Sequence, residues 1–314
     1  MTDLHLHGVN ASIALPMTRR AQPDFPALRD YVGWVVDQGA DALTVNADTG
    51  EGAHLSLEER TEVISTVKDV AGETVPVVSG LIAAHTAQAV EYGRELLDAG
   101  ADGLLVFSIP AFAGQPLPDE LVYRYYAAIA ELGSPAIAFS LTRELGGALL
   151  GPELLTKLIN DELIVAVKDA SFDPVTFVDT RNAVRAAARP AAVLSGCDNF
   201  IYESFVLGAD GCLLGFAGLA PGLTREVLDL VRAGDYATAE QINRERMQPL
   251  AEAMFAQPLR NNRARLKESL IALGVIGNAT VRPPLLPLTS DDRSQMLDAV
   301  KRAGLIEVGT HEVL

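Results

Sequence analysis

Lysine is scarce in this chain: 314 residues contain only Lys68, Lys157, Lys168, Lys267 and Lys301, against 41 acidic residues and a net charge of −16. That deficit of positive charge excludes the broad basic surface needed to hold nucleic acid or an anionic membrane. It leaves room for a small anionic substrate in a locally positive site. Cysteine is rarer still. Cys197 and Cys212 lack metal-ligand spacing and are too few for a disulfide framework, so both are expected to be small core residues. No apolar run approaches the ~20 residues of a membrane span. The N-terminal stretch Met1-Thr-Asp-Leu-His-Leu-His7 has no basic segment followed by an apolar core, so no signal peptide is read there. A cytoplasmic location is the expectation.

What the chain does have is alternation. Short apolar runs at 9–16, 42–46, 75–81, 103–108, 136–140, 164–168, 192–196 and 212–216 are separated by stretches of helical period. Those helical stretches are 26–38, 56–70, 85–99, 119–132, 152–160, 174–188 and 199–207, with an eighth at 223–232. Continuous apolar strands, rather than alternating ones, indicate a sheet buried on both faces. Eight such βα units in 233 residues predict a closed (β/α)8 barrel. A doubly wound open sheet is the competitor, but no Gly-x-Gly-x-x-Gly follows the first strand. Ser56-Leu-Glu-Glu59 reads as a capping box at the start of the second helix. Gly-Ala-Asp recurs at 39–41, 100–102 and 208–210, a tight helix-to-strand turn on the face away from a barrel's site. Three further helices are predicted at 236–256, 259–273 and 290–302. The expected division is a barrel over 1–233 and a helical extension over 234–314 packed on it or building a subunit interface.

Lys168 stands apart from the other four lysines. Those fall in amphipathic stretches where the amine is expected to reach water. Lys168 instead ends the apolar run Leu163-Ile-Val-Ala-Val-Lys168 and precedes Asp169-Ala-Ser171. A lysine is protonated at neutral pH with a reference pKa near ~10.4, and desolvation lowers that value. At a strand mouth, Lys168 is a candidate neutral nucleophile toward a carbonyl substrate. The structural alternative is an amine that reaches solvent or pairs with Asp169.

Catalytic groups of a parallel barrel sit at the C-terminal strand ends. Here those ends include Asp48-Thr-Gly-Glu51 followed by Leu55-Ser-x-Glu-Glu-Arg60, Val167-Lys-Asp-Ala-Ser171, Leu194-Ser-Gly-Cys-Asp198 and Gly208-Ala-Asp-Gly211. In this order and spacing they resemble the dihydrodipicolinate synthase / N-acetylneuraminate lyase superfamily of Schiff-base aldolases, over nearly the whole chain. The resemblance implies an imine between Lys168 and a 2-oxo acid, with no dissociable cofactor and no metal. It implies that Thr49, Gly50 and nearby amides hold the substrate carboxylate, and that Gly196 lets the backbone approach the ligand. Phe112, Phe139 and Ser140 are the further expected substrate contacts. A homo-oligomer, tetramer or dimer, and a small 2-oxo acid or aldehyde as partner are also implied.

The departures from that pattern concern proton transfer. The family's strand-five tyrosine matches Phe139 in Phe139-Ser-Leu-Thr142, and a phenyl ring carries no proton. The synthase branch has a second tyrosine after strand four, where this chain has Pro110-Ala-Phe112, and a threonine where it has Asp48. All three members of the synthase relay are therefore replaced, which marks a divergent member rather than a dihydrodipicolinate synthase. Arg143, beside Glu144, is an ambiguous match for the family arginine. Asp48 is the candidate replacement acid/base, its carboxyl expected in a dry pocket beside Phe112 and Phe139. Alternatively it binds a cationic or hydroxylated part of the substrate, caps the second helix or pairs with Lys168. Two other readings compete. One is a 2-oxo-acid-binding or sensing barrel that lost its relay. The other is a metal-dependent hydrolase, prompted by His5-Leu-His7. That pair precedes strand one, and His54, His85 and His311 are not at strand ends in a ligand pattern.

Overall fold

The computed structural model describes residues 4–306. Eight parallel strands close into a barrel in chain order, with the first paired to the last. They are β1 (Val9–Ser12), β2 (Ala42–Val45), β3 (Val77–Leu81), β4 (Gly103–Val106), β5 (Ala136–Leu141), β6 (Ala166–Ala170), β7 (Ala192–Ser195) and β8 (Gly211–Leu214). Helices α1 (Phe25–Asp37), α2 (Leu57–Ala71), α3 (Thr86–Asp98), α4 (Asp119–Ala130), α5 (Pro152–Asn160), α6 (Pro174–Ala186) and α7 (Ile201–Val206) alternate with them. A short α8 (Phe216–Leu219) then precedes α9 (Pro221–Arg232). The (β/α)8 barrel expected from the alternation is what the chain builds. Several predicted strands stop early: Asn46 leaves the sheet for the loop after β2, and Phe216 begins the helix after β8.

Two apolar shells follow from the strand period of two. Val78, Leu105, Ile137, Ala166, Leu194 and Leu213 fill the barrel interior. Val77, Leu104, Val167, Val193 and Leu214 face the helices. On β6, Ala166 and Ala170 belong to the interior and Val167 to the outer shell. Lys168 therefore points inward, level with its register partners Phe139 and Leu194. Asp169 points outward, where its carboxylate accepts from the hydroxyls of Ser171 and Thr180 at 2.7 and 2.6 Å.

The Gly-Ala-Asp repeats do more than turn the chain. Gly39, Gly100 and Gly208 adopt φ of +91°, +106° and +98°, where a side chain would be strained. Each following aspartate accepts an N–H near the start of a strand: Asp41 from Val9, Asp102 from Val77 and Asp210 from Val193, at 2.7, 2.8 and 2.8 Å. Each also pairs with a cation, namely Arg225, Lys68 and Arg185. The repeat thus ties the bottom of the barrel in three places.

Beyond α9 come α10 (Tyr236–Ile242), a π-helical stretch (Asn243–Met247), α11 (Gln248–Met254), α12 (Asn262–Ala272) and α13 (Ser290–Arg302). The single helix predicted over 236–256 is interrupted because Pro249 lacks an N–H, leaving the carbonyl four residues earlier without its usual donor. The extension reaches the barrel mouth. Lys267, expected in solvent, is fully buried and bonds Glu51 at 2.5 Å and the Thr280 carbonyl at 2.8 Å. Arg282 forks onto Glu59 at 2.7 and 2.8 Å. Arg263 pairs with Asp48. Three cations from the extension thus hold the segment from the end of β2 into α2, whose Ser56–Glu59 capping box forms as expected.

Candidate active site

A cavity of about 370 Å³ opens at the C-terminal ends of the strands. Lys168, Thr49, Asp48, Phe139 and Gly196 line it, so five of the eight site residues expected from sequence come together. The other three do not reach it. Phe112 is buried against Tyr125, ring centroids 5.4 Å apart. The Ser140 hydroxyl accepts the Leu150 N–H at 3.2 Å, as a residue one position past Phe139 on a strand must face the other way. Gly50 packs its backbone on Ile13, whose carbonyl would lie 3.3 Å from an added Cβ. Arg143 sits on the turn after β5 and is not part of the lining, although neighbouring Leu145, Gly146 and Gly147 are.

Lys168 is 8% exposed. Its amine lies 4.3 Å from the centre of the Phe139 ring, and no carboxylate or carbonyl among the described residues bonds it. Burial pulls the amine below the ordinary lysine range; the negative charge of Asp198, and less so of Asp48, opposes that shift. Gly196 is required beside it: a Cβ there would stand 2.7 Å from Lys168 Cε and 2.8 Å from the Asp169 carbonyl oxygen. Across the floor, Thr49 and Ser12 share a 2.8 Å bond between hydroxyls, and the Thr49 hydroxyl also donates to the Ser12 carbonyl at 3.0 Å. Gly215 keeps its Cβ position clear of Thr49 Cγ2, which would be only 2.8 Å away.

Asp48 is not in the dry setting expected for it. Its side chain is about half exposed (49%) and pairs with Arg263. Asn262 donates to its other oxygen at 3.2 Å, and Arg263 Nε to its carbonyl at 2.8 Å. The extension occupies this carboxylate.

The group that sequence reasoning passed over is Asp198. It stood in the quoted Leu194–Asp198 motif, yet only Gly196 was singled out. Asp198 is 7% exposed and lines the cavity. One carboxyl oxygen accepts the Phe216 N–H at 3.0 Å; no partner among the described residues meets the other. Burial raises its pKa to about 7, despite the Phe216 bond and the charge of Lys168. Also missed were Ser12 and the contributions of Phe255, Leu259, Arg260 and Arg263 from the extension. His54 also lines the cavity, with Nδ1 buried and unbonded. His5 lies before β1 at the opposite end, within 3.1 Å of the Asp41 carbonyl. His311 falls outside the described residues. Among the described residues no three His, Cys, Asp or Glu side chains cluster as metal ligands, and no helix is long and apolar enough to cross a membrane.

Comparison with known proteins agrees with this geometry. Residues 5–303 match the model of the dihydrodipicolinate synthetase family. A 4-hydroxy-tetrahydrodipicolinate synthase of Methylococcus capsulatus is 31% identical over 302 residues, covering 96% of this chain and 100% of the relative. A chloride-inhibited dihydrodipicolinate synthase from Acinetobacter baumannii, solved in complex with pyruvate, is 30% identical. It superposes with a TM-score of 0.83 over 96% of this chain and 100% of its own. A monomeric dihydrodipicolinate synthase variant, 22% identical, has the same fold at a TM-score of 0.89, covering 98% of this chain and all of its own.

Proposed function

We propose a reaction for a chain that belongs to the dihydrodipicolinate synthetase family: aldol-type cleavage, condensation or dehydration of a pyruvate-type 2-oxo acid through an imine on Lys168. The observation that carries it is the buried Lys168 amine, unbonded by protein and held below its ordinary pKa at the floor of a cavity. A neutral amine adds to the 2-oxo carbon and expels water, and the protonated imine then serves as electron sink, so no dissociable cofactor is needed. The Thr49 amide, which donates to no acceptor among the described residues, and the neighbouring Thr49 and Ser12 hydroxyls suit the carboxylate of that acid. Pyruvate has six heavy atoms. A cavity of about 370 Å³ leaves space for a second reactant against Phe107, Leu141 and Phe255.

The replaced relay separates this chain from a dihydrodipicolinate synthase in our reading. Among the described residues no tyrosine lines the cavity: Tyr125 and Tyr126 are buried on α4, away from it. Borohydride reduction in the presence of pyruvate, followed by peptide mass mapping, tests the proposal. The expected result is a reduced pyruvyl adduct on Lys168. An unmodified Lys168 at saturating pyruvate and other 2-oxo acids would overturn it. An adduct without turnover of any carbonyl partner would point instead to the 2-oxo-acid-sensing alternative.

A further inference from the structure

The cavity holds an amine that must gain and lose protons, yet the aromatic ring above it is Phe139 and the carboxylate at its rim is committed to Arg263. Asp198 remains. We infer that Asp198 is the general acid/base of this site, moving protons to and from the imine on Lys168 and the carbon next to it. This rests on the Schiff-base reading above. The geometry is that of a positioned proton carrier. Asp198 follows Gly196 by two residues, and Gly196 is packed against the Lys168 stem. The Phe216 N–H fixes one carboxyl oxygen at 3.0 Å, leaving the other for a ligand. The side chain is almost wholly buried yet lines the same cavity as Lys168. A structural aspartate in this chain looks different: Asp169, one strand away, has both oxygens bonded by Ser171 and Thr180.

The groups acting on Asp198 are few. Lys168 on β6 and Asp48 at the rim are the charged ones. Cys197 beside it and Cys212 on β8 are both held as neutral thiols by burial, the latter pushed up to about 12. With its own pKa raised to about 7 by burial, the carboxyl is part acid and part base at neutral pH.

The steps balance as follows. The neutral Lys168 amine adds to C2 of the 2-oxo acid, and the C=O π pair becomes an alkoxide that takes a proton from the Asp198 carboxyl. Asp198 regains a proton from the ammonium nitrogen so formed. It then protonates the hydroxyl, which leaves as water while the nitrogen lone pair closes the C=N bond, giving a protonated imine and an Asp198 carboxylate. That carboxylate next removes a proton from C3. The C3–H pair becomes the C2=C3 bond and the C=N π pair returns to nitrogen as the neutral enamine. No oxidant or second cofactor enters.

Pyruvate in D₂O tests this without knowledge of the second substrate. The wild-type protein is expected to exchange the C3 protons for deuterium, followed by NMR, at a rate that climbs as pH rises toward about 7. Asp198→Asn keeps the shape and an acceptor for the Phe216 N–H. It is expected to give the same endpoint borohydride adduct on Lys168, which also reports a folded site. Its exchange should be slower by about 10²–10⁴-fold, with the rise near pH 7 gone. Asp198→Glu should restore part of the rate. Exchange in Asp198→Asn within about threefold of wild type, with the adduct present in both, would overturn the role of Asp198 and leave the imine intact. Absence of the adduct in the wild type would overturn the Schiff-base reading and this inference together.

Discussion

Two lysines are buried at the mouth of this barrel, and they behave in opposite ways. Lys267 is fully buried and saturated: Glu51 and the Thr280 carbonyl both bond its amine. Lys168 is buried almost as deeply, with an aromatic face for company and no bonded anion. Desolvation depresses both amines. For Lys267 a carboxylate in contact opposes that shift by charge and by a hydrogen bond, whereas for Lys168 only unbonded charges oppose it. Burial alone therefore does not single out a lysine; burial without a bonded counter-charge, facing open volume, is what the role proposed for Lys168 rests on. The acids divide the same way. Glu51, Asp48 and Glu59 are each neutralised by the extension, whereas Asp198 keeps a free oxygen toward the cavity.

The contrast is broken most completely at Lys168. Lys168→Met is expected to abolish the pyruvate adduct while leaving thermal stability equal or higher, since an unpaired buried amine costs free energy; mass mapping and a melting curve check both. Lys267→Met should do the reverse. It strands the Glu51 carboxylate and is expected to cost about 3–5 kcal/mol in urea unfolding. Glu51→Gln combined with Lys267→Met should recover part of that loss, because no buried charge is then left unpaired. Phe139→Tyr in the Asp198→Asn background sharpens the point at smaller amplitude. A phenol close to the Lys168 amine should regain roughly tenfold in C3 exchange, read by NMR. Asp48→Asn should matter least. Its carboxylate is half exposed in the pair with Arg263, so stability should change by about 0.2–1 kcal/mol and C3 exchange by less than an order of magnitude.

The sequence carried the barrel because a parallel strand buried on both faces leaves an uninterrupted apolar run, and eight of them are hard to misread. It carried Lys168 for the same reason: a charge at the end of such a run has no helical face to escape along. Lys267 was misjudged because α12 is buried around most of its circumference, Arg265 and Lys267 included, rather than along one stripe, and the acid that bonds Lys267 lies 216 residues earlier. Asp198 was passed over because its chemistry comes from placement. Nothing in Gly196-Cys-Asp198 shows that the carboxyl will be desolvated, tethered by one amide and open on its other side. Phe112 and Ser140 were expected at the cavity on position in the chain alone. One residue of strand alternation turns Ser140 away, and the turn after β4 buries Phe112 against Tyr125.

The clasp made by Arg263, Lys267 and Arg282 also sets an order of assembly. The loop carrying Thr49 is made early, but the cations that neutralise its acids emerge more than 200 residues later. A nascent chain halted after β8 has all its strands but an unclasped loop after β2, with Glu51 lacking its counter-ion. Long-range closures of this kind come late in folding. A ribosome-stalled chain ending before residue 259 should therefore leave this loop open to proteolysis, whereas the released protein should protect it; equal protection in both would show the clasp to be dispensable.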